Sequence, residues 1–138
     1  DTMRESYSHS GERVIDTENR KLKTNHAVVG YFVAKSWSLP QDLCEVIAEH
    51  HSCEDIFRET TRATYDSGKK TLLAILKMAE HMCGVYSVLG GQDRDHEWDT
   101  IGHDLLAYVG LSDLDFDDMA ARLENLGISH GGFHGKRK

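Results

Sequence analysis

The sequence lacks several features that would place it in familiar classes of protein. Among 138 residues it has one proline, Pro40, and three cysteines without a CxxC spacing. We therefore expect neither a disulfide framework nor a cysteine zinc knuckle, and we expect reduced thiols in a cytosol. No run approaches the roughly 20 apolar residues that span a bilayer, and no charged and apolar signal segment opens the chain. These absences predict a soluble, cytoplasmic protein without membrane contacts.

Basic charge is also scarce in this sequence. There are 16 lysines and arginines against 23 acidic residues, which gives a formal net charge of −7. The only basic run is the last three residues, 136–138. Nonspecific affinity for nucleic acid comes from clustered lysine and arginine that release counterions. We therefore expect no nucleic-acid partner.

The length of the chain limits it to one compact domain. A chain of this size buries roughly 65–70% of its extended surface on folding, enough for a core without structural metal. The chain begins at Asp1 rather than at methionine, which predicts a piece of a longer protein. We predict a flexible or partly ordered N-terminal segment at residues 1–17, a helical domain at 18–127, and a flexible tail at 128–138.

Apolar residues recur at intervals of three and four, which predicts an all-α fold of about six helices. The predicted helices span about residues 18–36, 40–50, 54–65, 69–89, 98–109 and 114–126. The first carries an apolar stripe, made of Leu22, Val29, Phe32, Val33 and Trp37. Pro40 opens the second, since proline is tolerated in the first turn of a helix. The fourth is the most apolar and is expected to be central, and Asp113 or Asp115 is expected to cap the sixth.

Nine histidines are the leading candidates for chemistry, because imidazole is a common metal ligand and titrates near neutral pH. His50 continues the buried stripe of the second predicted helix, and His51 lies beside it at the C-terminal end. There a neutral imidazole can satisfy an unpaired carbonyl, and a protonated one is favoured by the helix dipole. His26 points inward in the middle of the first predicted helix. Core packing or capping thus explains all three without a metal.

The same residues also fit a metal site. If the first two helices form an αα-hairpin, His26 approaches His50 and His51, and the fourth helix presents Glu80 to the same place. Three imidazoles and a carboxylate are a suitable ligand set for a divalent transition metal. The spacing does not decide between the two interpretations, since no HExxH motif is present.

Other catalytic patterns are absent or weak. The sequence has no GxSxG elbow and no GxxxxGK[ST] loop. The pair His103 and Asp104 is expected by composition and is interpreted as an exposed helical turn. The acidic residues of 113–118 lack the glycine and the terminal glutamate of a calcium loop. We therefore predict no catalytic residue and no bound cofactor from these patterns.

The stretch NHAVVGYFVAKSWSLPQDLCEVIAEHH, from Asn25 to His51, resembles the second half of an HDOD domain, the HD-related output domain of bacterial signalling proteins. The shared pattern is a His, three residues, a Gly, then Trp-x-Leu-Pro and Ile-x-x-His-His. The matching residues are His26, Gly30, Trp37, Leu39, Pro40, Ile47, His50 and His51. Glu18 matches an acidic position of the pattern, and the resemblance extends to about Gly91.

Two of the matching residues have a structural explanation. Gly30 costs about 1 kcal/mol relative to alanine within a helix, which is tolerable where its missing Cβ lets another helix approach closely. Trp37, just before the turn, is expected to fill the hairpin. With Leu39 and Pro40, these residues form the predicted structural motif.

The resemblance implies a helical bundle of the HD-domain type and a non-catalytic regulatory domain in bacterial signal transduction, such as the output of a response regulator. The implied partners are signalling proteins or an attached receiver-type domain, contacted through protein–protein interfaces. In the related HD and HD-GYP phosphohydrolases, metal ligands match His26, His50 and His51, and a carboxylate matches Glu80. The alternative function is therefore that of a metal-dependent phosphohydrolase (phosphodiesterase) fragment. The earlier His-Asp pair and the Gly-Tyr-Pro element of those enzymes are missing, which disfavours cyclic-dinucleotide hydrolysis.

Self-association is also expected. If the chain is the C-terminal portion of a larger helical domain, the fourth predicted helix exposes an apolar face that the missing helices would cover. Contiguous apolar patches above a few hundred Å² seldom remain exposed to water.

Overall fold

The computed structural model of the protein describes residues 2–7, 13–58 and 65–128. Within these ranges the chain forms nine helices and no strand, which confirms the all-α prediction. The helices are α1 (Thr2–Ser6), α2 (Val14–Leu22), α3 (His26–Ser36), α4 (Gln41–Glu49), α5 (Cys53–Arg58), α6 (Ser67–Met82), α7 (Val85–Val88), α8 (His96–Val109) and α9 (Asp113–Asn125). No helix of the described ranges has the length and apolar character needed to cross a membrane.

The core lies around α6 and α8, and α4 and α5 pack against these two helices. The main apolar cluster consists of Val46, Cys53, Ile56, Leu73, Ala74, Ile101 and Leu105. A second cluster extends the core to α9 and consists of Met78, Met82, Leu106 and Phe116. Because α6 packs against α4, α7 and α8, it has the central position predicted from its apolar composition.

The predicted first helix, 18–36, is wrong in extent because the chain forms two helices there. Lys23 ends α2 in the left-handed backbone conformation, with φ of 59°. Asn25 then caps α3, since its side-chain oxygen accepts a hydrogen bond from the Val28 amide at 2.9 Å. Apolar periodicity does not reveal this break, because the cap is made by polar residues. As a result, His26 is the first residue of α3 rather than a residue in the middle of a helix.

The apolar stripe predicted for this segment faces solvent. Val29, Phe32 and Val33 are 50%, 64% and 41% exposed. Leu22, at the end of α2, is also exposed. Trp37 is 73% exposed, so the prediction that it fills the hairpin is wrong.

Small residues explain why the large side chains of α3 point outward. The buried face of α3 carries Ala27 and Ala34. A Cβ placed on Gly30 would lie only 2.9 Å from the Cγ2 atom of Ile47 in α4. The two helices therefore approach each other through glycine and alanine, and the bulky residues occupy the opposite side of α3.

Residues 1–17, expected to be flexible or partly ordered, contain α1 and the first turn of α2. The two helices pack against each other, and Ser6 is buried. Lys21 of α2 donates a hydrogen bond to Glu5 of α1. In the tail predicted at 128–138, only the first residue lies within the described ranges.

Two further predicted helices differ in extent. The predicted helix 69–89 is divided into α6 and α7, because Gly84 takes the left-handed conformation, with φ of 65°, between them. The third predicted helix, 54–65, corresponds to the shorter α5, and residues 59–64 lie outside the described ranges.

The ends of α8 and α9 are set by a glycine and a serine. Gly110 ends α8 at the predicted place, with φ of 74°. The prediction that Asp113 or Asp115 caps the last helix is wrong, because the cap is Ser112. The Ser112 hydroxyl accepts a hydrogen bond from the Asp115 amide at 3.2 Å, and the Asp115 carboxylate accepts one from the Ser112 amide at 2.9 Å. This reciprocal pair is a capping box.

Candidate functional site

Three histidines from the same end of the α3–α4 hairpin converge inside the protein. His26 begins α3, His50 caps the C-terminus of α4, and His51 follows it. The Nε2 atom of His26 lies 3.2 Å from Nε2 of His50 and 2.9 Å from Nε2 of His51. Among the described residues they form the one group suited to hold a metal ion, with ligand atoms within 4.8 Å of one another. The structure thus brings together the three histidines singled out in the sequence.

The orientation of His26 is set by a buried carboxylate of α2. Glu18 is 2% exposed and accepts hydrogen bonds from both the backbone amide and the Nδ1 atom of His26, each at 2.8 Å. The break between α2 and α3 makes this contact possible, because it turns the start of α3 towards Glu18. The Nδ1 proton of His26 is therefore held by Glu18, and its Nε2 atom points at the other two rings.

The other two rings are held in the same way, each by an acceptor at Nδ1. The carbonyl oxygen of Ile47 accepts from His50 at 2.7 Å, and the carboxylate of Glu97 in α8 accepts from His51 at 3.1 Å. Since a carbonyl and a carboxylate can only accept, Nδ1 is the donor in each ring. An imidazole whose Nδ1–H is anchored in this way offers its Nε2 lone pair to a metal.

A buried lysine lies between the carboxylates of the site. The ammonium of Lys77, in α6, donates to Glu80 at 2.6 Å and to Glu97 at 2.7 Å. Glu80 in turn lies 3.7 Å from Nε2 of His50, and Glu97 holds His51. Lys77 is only 5% exposed. The predicted fourth ligand, Glu80, is therefore next to the histidines but is already paired with a cation.

The electrostatic environment sets the charge of each group. Burial lowers the pKa of His50 to about 3, and the charges of His51 and Lys77 act in the same direction. Burial alone would lower the pKa of Lys77, but Glu97 and Glu80 outweigh it and raise that pKa. Burial opposes ionisation of Glu97, yet Lys77 and His51 hold its pKa well below the usual range. At neutral pH, His50 is neutral while Lys77 and Glu97 are charged.

The donor set fits a divalent transition metal only in part. Three imidazole Nε2 atoms with anchored Nδ1 protons are suitable ligands for such an ion. The carboxylate of Glu80 lies outside this close group, and it already accepts a hydrogen bond from the ammonium of Lys77, which would compete with a metal ion. The histidines therefore match a metal site, and the carboxylate does not.

The cysteines add neither a ligand nor a nucleophile to this site. The thiol of Cys53 donates to the carbonyl oxygen of His50 at 2.9 Å, and burial raises its pKa to about 12. Cys44 is also buried, and Cys83 is exposed. A protonated, buried thiol is a poor nucleophile and a poor metal ligand.

A cavity of about 180 Å³ opens beside His51. Its wall includes Tyr7, Tyr86, Arg94 and Glu97. The position of Tyr7 depends on a glycine, since a Cβ on Gly90 would lie 2.4 Å from the Cβ atom of Tyr7. The cavity gives the His51 side of the site a route to solvent.

Of the predicted structural motif, Gly30 lies within α3 and the other three residues lie at the opposite end of the α3–α4 hairpin. Pro40 caps α4, and Leu39 and Trp37 lie in the turn. His103 is 88% exposed in its side chain, and its neighbour Asp104 accepts a hydrogen bond from Arg58. None of these residues belongs to the histidine group.

Sequence reasoning missed two residues of the site, Lys77 and Glu97. Lys77 could have been predicted, because it lies in the most apolar helix, three residues before Glu80. A lysine in such a helix is buried, and a buried ammonium needs carboxylate partners. Glu97 gave no comparable signal, since it comes at the start of a helix where acidic residues are common.

One comparison with known proteins found a match to part of the chain. Residues 1–53 match the HDOD domain. HDOD domains are associated with signal transduction. The HDOD match covers α1 to α4 and all three histidines, but it does not extend to Lys77 or Glu97. No curated protein and no solved structure matches the chain.

Proposed function

We propose that the chain is a non-catalytic regulatory domain of bacterial signal transduction that acts through protein–protein contacts. The observation that carries this proposal is an exposed apolar surface within the segment that matches the HDOD domain. This surface, called the α3 surface, consists of Val29, Phe32, Val33 and Trp37. Residues three, four and eight apart on a helix lie on one side, so the four side chains are neighbours.

The size of the α3 surface suits contact with a second copy of the chain. With roughly 200 Å² for each large side chain, the exposed fractions amount to about 450 Å². Patches of this size on monomers are often functional. Two copies would bury about 900 Å² of apolar surface, somewhat more than half of a standard interface, and a polar rim would supply the remainder. This is enough for the centre of a two-fold symmetric dimer.

Charge also favours pairing of two copies through α3. The chain carries a formal charge of −7, so two copies repel each other over most of their surfaces. Helix α3 contains no aspartate or glutamate, and Lys35 is its one lysine or arginine. A second copy therefore meets the least repulsion along α3.

In this function a signalling protein, or an attached receiver-type domain, controls how much of the paired form is present. A signal shifts such an equilibrium only by binding the paired and unpaired forms with different affinity. Because α3 packs closely on α4 at Gly30, the α3 surface belongs to a rigid helical hairpin. The controlling contact can thus act by covering or uncovering this surface.

Light scattering over a concentration series tests this proposal. We expect the mass to rise from 15.6 kDa towards twice that value, and a Phe32→Ser/Trp37→Ser variant to remain monomeric. Leu114→Ser is the matched control, since Leu114 is 71% exposed on α9. A wild-type chain that stays monomeric, or a control that dissociates equally, would contradict the proposal and direct the search to another partner.

A metal-dependent phosphohydrolase is the second candidate, favoured by the convergence of three imidazole Nε2 atoms. In that function His26, His50 and His51 would hold a divalent transition metal, which supplies a water of lowered pKa as nucleophile. A phosphodiester assay with a chromogenic substrate and added Mn²⁺ or Zn²⁺ separates the two functions. The regulatory proposal expects no turnover, whereas turnover that is lost in His50→Ala would establish the hydrolase.

A further inference from the structure

The position of Lys77 affects which residues around the three histidines can bind a metal ion. Its ammonium is buried and contacts two of the three carboxylates that reach the histidines, Glu80 and Glu97. Glu80 lies three residues along the same helix, so the pair is held by the geometry of α6. The positive charge therefore has a fixed place beside the rings.

A divalent ion on either carboxylate would compete with this ammonium. The oxygen of Glu80 that accepts from Lys77 is not available as a ligand, and a second positive charge nearby would be repelled. In a buried site this repulsion is weakly screened by solvent. An ion that takes Glu80 or Glu97 as a ligand must either share that carboxylate with Lys77 or displace it, and displacement would leave a buried ammonium without its partners.

We propose that Lys77 is a built-in cation that keeps divalent metal ions off Glu80 and Glu97, so that any ion at this site is held by the histidines alone. The proposal concerns the interior of the protein and does not depend on contacts through the α3 surface. It predicts that the carboxylates become metal ligands once the ammonium is removed.

Metal affinity of a Lys77→Met variant tests this proposal. Methionine has a similar length and flexibility without the charge. We expect Lys77→Met to bind Zn²⁺ at least about 10-fold more tightly than the wild type, measured by competition with a chromogenic chelator. Lys70→Met is the matched control, because Lys70 lies on the same helix with its ammonium over the Phe57 ring, and its affinity should equal that of the wild type.

A triple variant, Lys77→Met/Glu80→Gln/Glu97→Gln, separates new ligands from a general loss of positive charge. It should lose the gain in affinity, because the amides cannot replace the carboxylates. The visible absorption of bound Co²⁺ supplies a second readout, since added oxygen ligands change the band positions and intensities. We expect Lys77→Met to differ from the triple variant in this spectrum.

The wild-type background provides a test that does not require Lys77→Met to fold. If Lys77 already excludes ions from Glu80, then Glu80→Gln should change the Zn²⁺ affinity of the wild type by less than twofold. A Lys77→Met affinity equal to that of the wild type would overturn the proposal. A loss of about 10-fold or more on Glu80→Gln in the wild type would overturn it as well.

Discussion

The Nε2 atom of His51 lies 2.9 Å from the Nε2 atom of His26, although 25 residues separate them in sequence. Each ring is oriented by an acceptor at its Nδ1 atom, so both Nε2 lone pairs point at the same place. Two lone pairs at this distance repel each other, and a cation bound between the rings would remove that repulsion. The start of α3 and the end of α4 are therefore held next to each other by polar side chains rather than by apolar packing.

The cap of α3 is predicted to stabilise this end of the hairpin. Asn25→Ala removes the acceptor for the Val28 amide and the hydrogen bond to the side chain of Asn19. We expect the free energy of unfolding to fall by about 1–2 kcal/mol in urea denaturation. Ser112→Ala, at the exposed cap of α9, should cost less, and an equal cost at the two caps would contradict this interpretation.

The close contact at Gly30 predicts a coupled effect of two substitutions. Gly30→Ala alone places a Cβ 2.9 Å from Cγ2 of Ile47, and we expect a net loss of about 1 kcal/mol in stability. In an Ile47→Ala background the same change should stabilise the protein by about 0.5–1 kcal/mol, because alanine is the better helix former. Denaturation of the four proteins of this cycle measures the coupling. Equal effects in both backgrounds would exclude the close contact.

The lowered pKa of His50 predicts acid destabilisation. The unfolded residue titrates near pH 6.5, whereas the pKa of the folded residue is about 3. Between these values the unfolded chain binds a proton that the folded chain does not. The free energy of unfolding should therefore fall as the pH drops below about 6.5, by up to about 1.4 kcal/mol per pH unit.

Denaturation between pH 7 and pH 4, in the presence of a chelator, measures this slope. His50→Asn keeps a donor for the Ile47 carbonyl oxygen and should flatten the slope. His103→Asn, at a histidine whose side chain is 88% exposed, should leave it unchanged. A slope that survives His50→Asn would show that other groups cause the acid sensitivity.

The buried ion pairs predict a large difference between single and triple substitutions. Lys77→Met leaves Glu80 and Glu97 without their cation. We expect the free energy of unfolding to fall by about 3–5 kcal/mol in chelator-containing buffer. Lys77→Met/Glu80→Gln/Glu97→Gln removes all three charges together. It should therefore lower the free energy of unfolding by less than Lys77→Met does. Calorimetric melting of both variants checks this order, and a reversed order would argue against the network.

The sequence was sufficient to predict the fold class, and it predicted the meeting of the three histidines. His26 begins the first helix of the hairpin and His50 and His51 end the second, so their approach at one end of the hairpin is a consequence of helix geometry. The sequence could not predict that the apolar stripe of α3 faces solvent, because periodicity identifies an apolar face but does not show what covers it. Glycine and alanine, which have weak apolar signals, proved to form the buried side of α3.

Turn geometry explains the remaining differences. The breaks at Lys23 and Gly84 depend on single residues with positive φ, which apolar spacing does not detect. Glu97 joins the site from α8, 46 residues after His51, and no local pattern links the two. Contacts of this kind follow from the packing of α8 on α6 and are not encoded in any short motif.

The fluorescence of Trp37 tests the central claim, that the α3 surface is the contact surface, most directly. Trp37 is 73% exposed, and Trp98→Phe leaves it as the one tryptophan of the chain. The account predicts that Trp37 emission shifts to shorter wavelength and that iodide quenching falls as the protein concentration rises, in step with the doubling of mass. A Trp37 that remains equally quenchable at every concentration, even where the mass doubles, would contradict the claim.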